Sequence, residues 1–261
     1  MNSDPVGLFD SGVGGLSVLR EIEASLPSES VYYVADSANA PWGDKPPEFV
    51  RKRGLEIARF LCAQGAKAIV IGSNTGTAGS AEALRAELTV PVVGIEPGIK
   101  PAVAATRSRV IGAIVPAAVG GSDRLASLLE RFTSDVKVVV QPVPGLVEHV
   151  EAADLDGPEL RRMVEGYIRP MLDAGADVIV LGSTHYVFLK PLLGEIAPNV
   201  TLIETGAAVA RRLESVLDER GLRAGGARGS ERFWTSGDPA ASARVISTLL
   251  NRTVAVEKLP I

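Results

Sequence analysis

One stretch of this chain occurs twice. Residues 65–75 read GAKAIVIGSNT and residues 175–185 read GADVIVLGSTH, an offset of 110 positions throughout. In each, a glycine closes a helical stretch, a short apolar run follows, and a Gly-Ser-polar-polar segment stands at its carboxyl end. Two weaker echoes keep the same order: VVGIEPG (92–98) with TLIETG (201–206), and GLFDSGVGG (7–15) with GAIVPAAVGG (112–121). Three echoes in one order mark a duplicated α/β unit. Ligands of open α/β sheets sit outside the carboxyl ends of strands. Two such units predict strand tips facing each other across a cleft, with Ser73 and Ser183 approaching one small ligand from opposite sides.

The remaining pattern fits that frame. Short, β-branched apolar runs at residues 6–9, 30–35, 68–71, 90–95, 110–115, 136–140, 178–181, 200–203 and 232–235 read as parallel strands covered on both faces. Amphipathic stretches at 47–64, 81–88, 122–132 and 158–174 read as the helices between them. The expected fold is α/β: two pseudosymmetric doubly wound parallel-sheet domains with an interdomain cleft. The first is built from residues 1–97 plus 207–261, the second from 98–206. The Gly-rich stretch 221–230 reads as a mobile surface loop before the last strand.

Composition narrows the function. The net charge is −4, with no basic excess to neutralise phosphates, which argues against nucleic acid as a partner. No apolar run reaches the ~18 residues a membrane helix needs, so no membrane partner is expected. The first residues lack a leader pattern, and the expected location is the cytoplasm. The single cysteine, Cys62, excludes an internal disulfide. With only His149 and His185 beside it, a metal site is not expected. The expected partner is a small carboxylate or amino-acid ligand, and a homodimer stays open.

Each candidate site residue also has a purely structural reading. Asp10 and Ser11 follow the first strand and either cap the helix opened by Gly12, Gly14 and Gly15 or deliver a carboxylate and amides to the cleft floor. Trp42 and Gly43 form a turn, with an aromatic lid or an anion-binding amide as alternatives. Ser73, Asn74 and Thr75 end a strand, where hydroxyls either cap the next helix or hold a ligand. Their repetition as Ser183, Thr184 and His185 favours a ligand site. Glu148 and Glu151 share a helical face around His149, and a solvated face is the default reading.

These motifs together resemble the glutamate racemases of the cofactor-independent aspartate/glutamate racemase superfamily. The likeness runs through GLFDSGVGGLSVLREI, YYVADSANAPWG, SNTGTA, VVGIEPG, LGSTHYVFLKPLL, LIETGAAVA and the terminal FWTSGDP. The resemblance implies exchange of an α-proton between two cysteines on opposite faces of an amino acid, without a cofactor. It also implies that those cysteines belong where Ser73 and Ser183 stand, that Asp10, Glu148 and His185 are helper acid/base groups, and that Ser11, Trp42, Gly43, Asn74, Thr75 and Thr184 bind substrate.

The chain departs from the pattern at both thiols. It also departs at Pro116 and Val119, where the resemblance implies threonines, and at Gln141, where it implies a cysteine. Cys62, inside a helix, is no substitute. A thiol ionises near pH 8.5, whereas a serine hydroxyl is essentially never an alkoxide without strong activation. The leading expectation is therefore a racemase-superfamily enzyme with altered acid/base chemistry of isomerase, lyase or hydrolase type. In a hydrolytic variant Ser183 and His185 would be nucleophile and base, provided that they face each other. A non-catalytic carboxylate-binding homologue and a glutamate racemase inactivated by Cys-to-Ser replacement are the alternatives. The extra departures point to natural divergence.

Overall fold

The computed structural model describes residues 2–117, 123–133 and 135–261. These carry strands β1 (Val6–Asp10), β2 (Val31–Ala35), β3 (Ala68–Ile71), β4 (Val92–Val93), β5 (Val110–Val115), β6 (Lys137–Pro142), β7 (Val178–Leu181), β8 (Thr201–Ile203), β9 (Glu231–Thr235) and β10 (Val256–Lys258). The helices are α1 (Leu16–Ser25), α2 (Pro47–Ala63), α3 (Asn74–Glu87), α4 (Ile99–Ala105), α5 (Asp123–Phe132), α6 (Leu146–Glu151), α7 (Pro158–Asp173), α8 (Lys190–Ile196), α9 (Gly206–Glu219) and α10 (Pro239–Leu250). The chain divides into one unit of Met1–Glu96 with Thr205–Ile261 and another of Pro97–Glu204.

Each unit holds one all-parallel sheet. The first has the order β10-β9-β2-β1-β3-β4, the second β6-β5-β7-β8. The stretch β2-β1-β3-β4 and the whole of the second sheet have the same order, strand for strand along the chain. Continuous apolar runs make this possible, because a strand covered on both faces must be apolar at every position. All five residues of β1 and all four of β3 and β7 are buried. In the first unit Phe9, Ile69 and Ile71 pack with Ile57 and Leu61 of α2 and with Trp234. In the second, Ile111, Ala113 and Val115 share a cluster with Val178, Val180 and Ile99. Each such aliphatic side chain contributes roughly 1.5–3 kcal/mol on burial.

The duplicated segment has the same local structure in both units. Gly65 and Gly175 take φ of +90° and +84°, a left-handed conformation that favours glycine at a helix end. Their N–H groups donate to Cys62 and Leu172 carbonyls, both at 2.9 Å. At the far end of the strand, Gly72 N–H donates to the Phe9 carbonyl at 2.7 Å and Gly182 N–H to the Ile114 carbonyl at 2.8 Å. A Cβ at Gly182 would stand 2.6 Å from the Ile114 carbonyl oxygen, and one at Gly72 3.0 Å from the Gly15 Cα. The glycine before each serine is therefore imposed by close backbone approach.

Four local expectations change. Strand β4 is only Val92–Val93, because Pro91 and Gly94 bound it. Helix α3 begins at Asn74, well before residue 81, since the polar run Asn74–Gly79 is helical once Ser73 caps it. Strand β10 was not expected: three residues at a sheet edge, two of them charged, carry almost no apolar signal. The stretch 221–230 is anchored rather than loose. Ala224 N–H donates to Glu29 Oε1 at 2.7 Å, and Gly229 N–H to the Pro27 carbonyl at 3.0 Å. Gly120 and Gly121 of the third echo, and Val119, lie outside the described residues.

Candidate functional site

In the first unit, Asp10 is the last residue of β1 and is 1% exposed. Its Oδ1 accepts from the Ser11 N–H at 2.6 Å and from the Ser11 hydroxyl at 3.2 Å, and its Oδ2 accepts from the Gly15 N–H at 2.6 Å. The Tyr33 hydroxyl donates to the Gly12 carbonyl at 2.7 Å. The carboxylate thus organises the turn that starts α1, and Ser11 rides on it. Both readings of Asp10, structural and functional, use this one fixed position.

Register puts the next strand tip beside it. Phe9 pairs with Ile71, so Asp10 lies alongside Gly72, one residue before Ser73. Ser73 is 7% exposed, and its hydroxyl oxygen accepts from the Gly76 N–H at 3.1 Å, capping α3. Asn74 and Thr75, both half-buried, form the first turn of that helix.

Trp42 is not a lid. Its ring is 1% exposed and packs against Phe9, with ring centroids 6.2 Å apart. The indole N–H donates to Asp36 Oδ2 at 3.0 Å. Asp36, fully buried, also accepts from Arg53 Nε at 3.0 Å and from its terminal nitrogen at 2.8 Å, while Asn39 donates to Oδ1 at 3.0 Å. Arg53 in turn reaches Glu56 at 3.2 Å. This network fixes the Trp42–Asp44 turn, so any ligand contact here falls to the backbone and half-buried Gly43 rather than to the indole face. Asp36 and Arg53 carried no signal of this role in the sequence beyond their position flanking the turn.

In the second unit, Ser183 caps a 3-10 turn, Thr184–Leu189, that leaves β7. Thr184 and His185 are 7% and 6% exposed, and Ser183 is half-buried. The Ser183 hydroxyl lies 3.3 Å from His185 Nδ1, and its oxygen accepts from the His185 N–H at 3.4 Å. The Ser183 hydroxyl and the His185 ring thus face each other across two residues. On the other side of the ring, Nε2 is 2.7 Å from Glu151 Oε1.

Glu151 is therefore the carboxylate that the geometry sets against the His185 ring. It ends the short helix α6 and was read as part of a solvated face. Glu148, one turn earlier, is exposed and makes no hydrogen bond to His185. Glu148 instead acts on Tyr186, whose phenol is held above its ordinary value by burial first and then by the Glu148 charge. His149 pairs with Asp154 at 2.8 Å. Gln141 donates to the Pro142 carbonyl at 2.9 Å, and Pro116 is half-buried.

Cys62 packs half-buried on the core of the first unit, and burial pushes its thiol up. Among the described residues no group of three or more His, Cys, Asp or Glu side chains could hold a metal ion, and no helix is long and apolar enough to cross a membrane.

The chain is similar to known proteins in sequence and in fold. The Asp/Glu/hydantoin racemase family matches residues 10–213. The chain is 51% identical to the glutamate racemase of Pseudomonas aeruginosa over 261 residues, which covers 99% of this chain and 98% of that one. Its fold is similar to a glutamate racemase of Bacillus anthracis, with a TM-score of 0.88 at 29% identity over 100% of this chain and 99% of that chain. It is similar also to Escherichia coli glutamate racemase, solved with L-glutamate and the activator UDP-MurNAc-Ala, with a TM-score of 0.86 at 29% identity over 98% of each chain. By sequence and by fold, this chain belongs to the glutamate racemase family of the Asp/Glu racemase superfamily.

Proposed function

We propose that the chain binds the carboxylate of a small α-amino acid, glutamate or a near analogue, and acts on it by proton transfer without a cofactor. Asp10 serves the first half-site and His185 with Glu151 the second. Ser11, Gly43, Asn74, Thr75 and Thr184 bind the ligand. Ser73 and Ser183 stand where the family resemblance puts thiols.

The observation that carries this reading is the matched pair of strand tips. Ser73 and Ser183 leave β3 and β7 with nearly identical backbone angles, φ of −137° and −136°. Each has a buried ionisable neighbour within its own unit, Asp10 or His185. The ligand class follows from the relatives, one of which is solved with L-glutamate.

Serine changes the chemistry available. Every pK unit by which a base must be raised costs about 1.4 kcal/mol. A hydroxyl lies several units above a thiol, so proton abstraction by these oxygens is slower than by thiolates by several orders of magnitude. His185, with its carboxylate partner, is the group suited to act as general base near neutral pH. Ser183 then relays or positions a proton. The cap that Ser73 makes to Gly76 favours a second reading for the first unit, in which that serine only shapes a binding half-site.

The test is thermal stabilisation of the chain by L-glutamate, D-glutamate and small mono- and dicarboxylates. A ligand at a hundredfold excess over Kd adds about 2.7 kcal/mol by mass action. A rise in Tm with an amino acid, weakened in Asp10→Asn, supports the reading. No stabilisation by any of these acids contradicts it. Mass spectrometry of the incubated ligand then separates an enzyme from a binder.

A further inference from the structure

We infer that Ser183, His185 and Glu151 form a nucleophile–base–carboxylate relay that accepts an acyl group from an activated ester, an activity separate from proton exchange at an α-carbon. The three groups lie in one unit and are held by three different devices. Ser183 sits at the extended tip of β7, His185 in the 3-10 turn that follows, and Glu151 at the end of α6. Imidazole Nε2 stands 2.7 Å from Glu151 Oε1, and Nδ1 3.3 Å from the Ser183 oxygen. A carboxylate accepts and does not donate, so it draws the ring proton to Nε2 and leaves the Nδ1 lone pair facing the hydroxyl. A nucleophile within reach of a base that a third group orients is the general signature of covalent catalysis. The 3.3 Å separation is of the loose kind that tightens when a reacting carbonyl arrives.

Exposure has the order that such a relay needs. His185 and Thr184 are more than nine-tenths buried and Tyr186 fully so, while Ser183 is only half-buried. Of the hydroxyl and the imidazole, the hydroxyl is the more exposed, so a donor meets it first. Ser73 provides an internal contrast. Among the described residues its oxygen has one hydrogen-bond partner, the Gly76 N–H, so it has the same hydroxyl without an imidazole bonded to it.

The step balances without any further reagent. The Ser183 oxygen forms a bond to the acyl carbon as its proton passes to His185 Nδ1, while the Nε2 proton stays on its bond to Glu151. The bond from acyl carbon to leaving oxygen breaks, and the leaving group departs as the phenolate. The imidazolium then releases its Nδ1 proton to solvent. The neutral ring takes a proton from water as that water attacks the acyl carbon, and passes the proton to the departing Ser183 oxygen, which frees the hydroxyl and releases the acid.

The experiment uses the full chain with p-nitrophenyl acetate near neutral pH, following p-nitrophenolate release and the mass of the digested protein. The expected result is a single acetyl group on the peptide carrying Ser183, with Ser73 unlabelled. His185→Ala slows labelling by about a hundredfold. Glu151 is a positioning residue, and Glu151→Gln both slows labelling and moves its pH midpoint down, because the imidazolium loses its counter-charge. Glu151→Asp recovers part of the rate. Acetyl groups appearing at Ser73 or on lysines as fast as on Ser183, or an unchanged rate in Ser183→Ala, overturn the inference. So does an unshifted pH profile in Glu151→Gln. If Ser183→Ala does not fold, Ser183→Cys gives the second arm: faster acetylation at position 183 supports the relay and an unchanged rate overturns it. No amino-acid ligand enters this readout, so its failure leaves the proposed function standing, and the reverse also holds.

Discussion

Ser73 and Ser183 leave their strands with φ within one degree of each other, yet their hydroxyls meet different partners: a helix N–H at 3.1 Å for Ser73 and an imidazole at 3.3 Å for Ser183. The duplication kept the backbone and let the side-chain roles part. In the first unit the serine starts a helix of 14 residues, and in the second a 3-10 turn of six.

That difference predicts unequal costs. Ser73→Ala removes a helix cap and destabilises the chain by about 1 kcal/mol. Ser183→Ala, which caps only a short turn over a 3.4 Å contact, costs less. Urea denaturation of the two variants compares them, and equal losses would count against a capping role for Ser73.

The Asp36–Arg53 pair carries the Trp42 turn. Asp36→Asn keeps the shape but leaves a nearly buried guanidinium with Glu56 alone. Removing one partner of a buried pair costs roughly 3 kcal/mol. Denaturation followed by tryptophan fluorescence reads both the stability and the loosening of Trp42. A loss under about 0.5 kcal/mol, the scale of an ordinary surface change, would show that the network does not hold the turn.

Acid should weaken the second unit through Asp177. Burial alone would raise this carboxyl, but hydrogen bonds from the Thr106 and Ser108 hydroxyls and the Arg107 and Ser108 N–H groups hold it well below its ordinary 3.8. A depressed folded-state value means stability that is present above the unfolded value and lost as pH falls through the folded one. Asp177→Asn should therefore cost roughly 1–2 kcal/mol at neutral pH, discounted for solvent screening. The gap between variant and parent should close as pH drops below about 4. A gap independent of pH would contradict this.

Gly182→Ala tests the backbone constraint shared by the two repeats. A methyl group 2.6 Å from the Ile114 carbonyl oxygen forces β5 and β7 apart at the site end, with an expected loss of about 1–3 kcal/mol. Gly166→Ala, in open space inside α7, should instead be neutral or stabilising. Thermal melts of the two variants make the comparison.

The parts of this structure that were legible in the sequence are those that local sterics impose. A left-handed glycine, four buried strand residues and a crowded glycine before a serine must look alike wherever they recur, so residues 65–75 and 175–185 announced two similar parallel sheets. Strand β10 did not announce itself, because edge pairing needs no apolar pattern. Glu151 was visible as a helix neighbour of Glu148, but which of the two reaches His185 depends on how α6 packs against the turn after β7. Trp42 looked like a surface aromatic because nothing local reveals that Asp36 and Arg53, 17 positions apart, close over its indole nitrogen.

Our proposal is that the chain still holds an amino acid, with alcohols at position 73 in one unit and position 183 in the other in place of thiols. It is tested most directly by the loss of the α-proton NMR signal of L-glutamate in D2O, comparing the chain with its Ser73→Cys/Ser183→Cys variant. The account predicts exchange in the double variant faster by several orders of magnitude, since the base then ionises near pH 8.5 rather than far above it. Equal exchange rates in the two proteins, or none in a folded double variant, would contradict it.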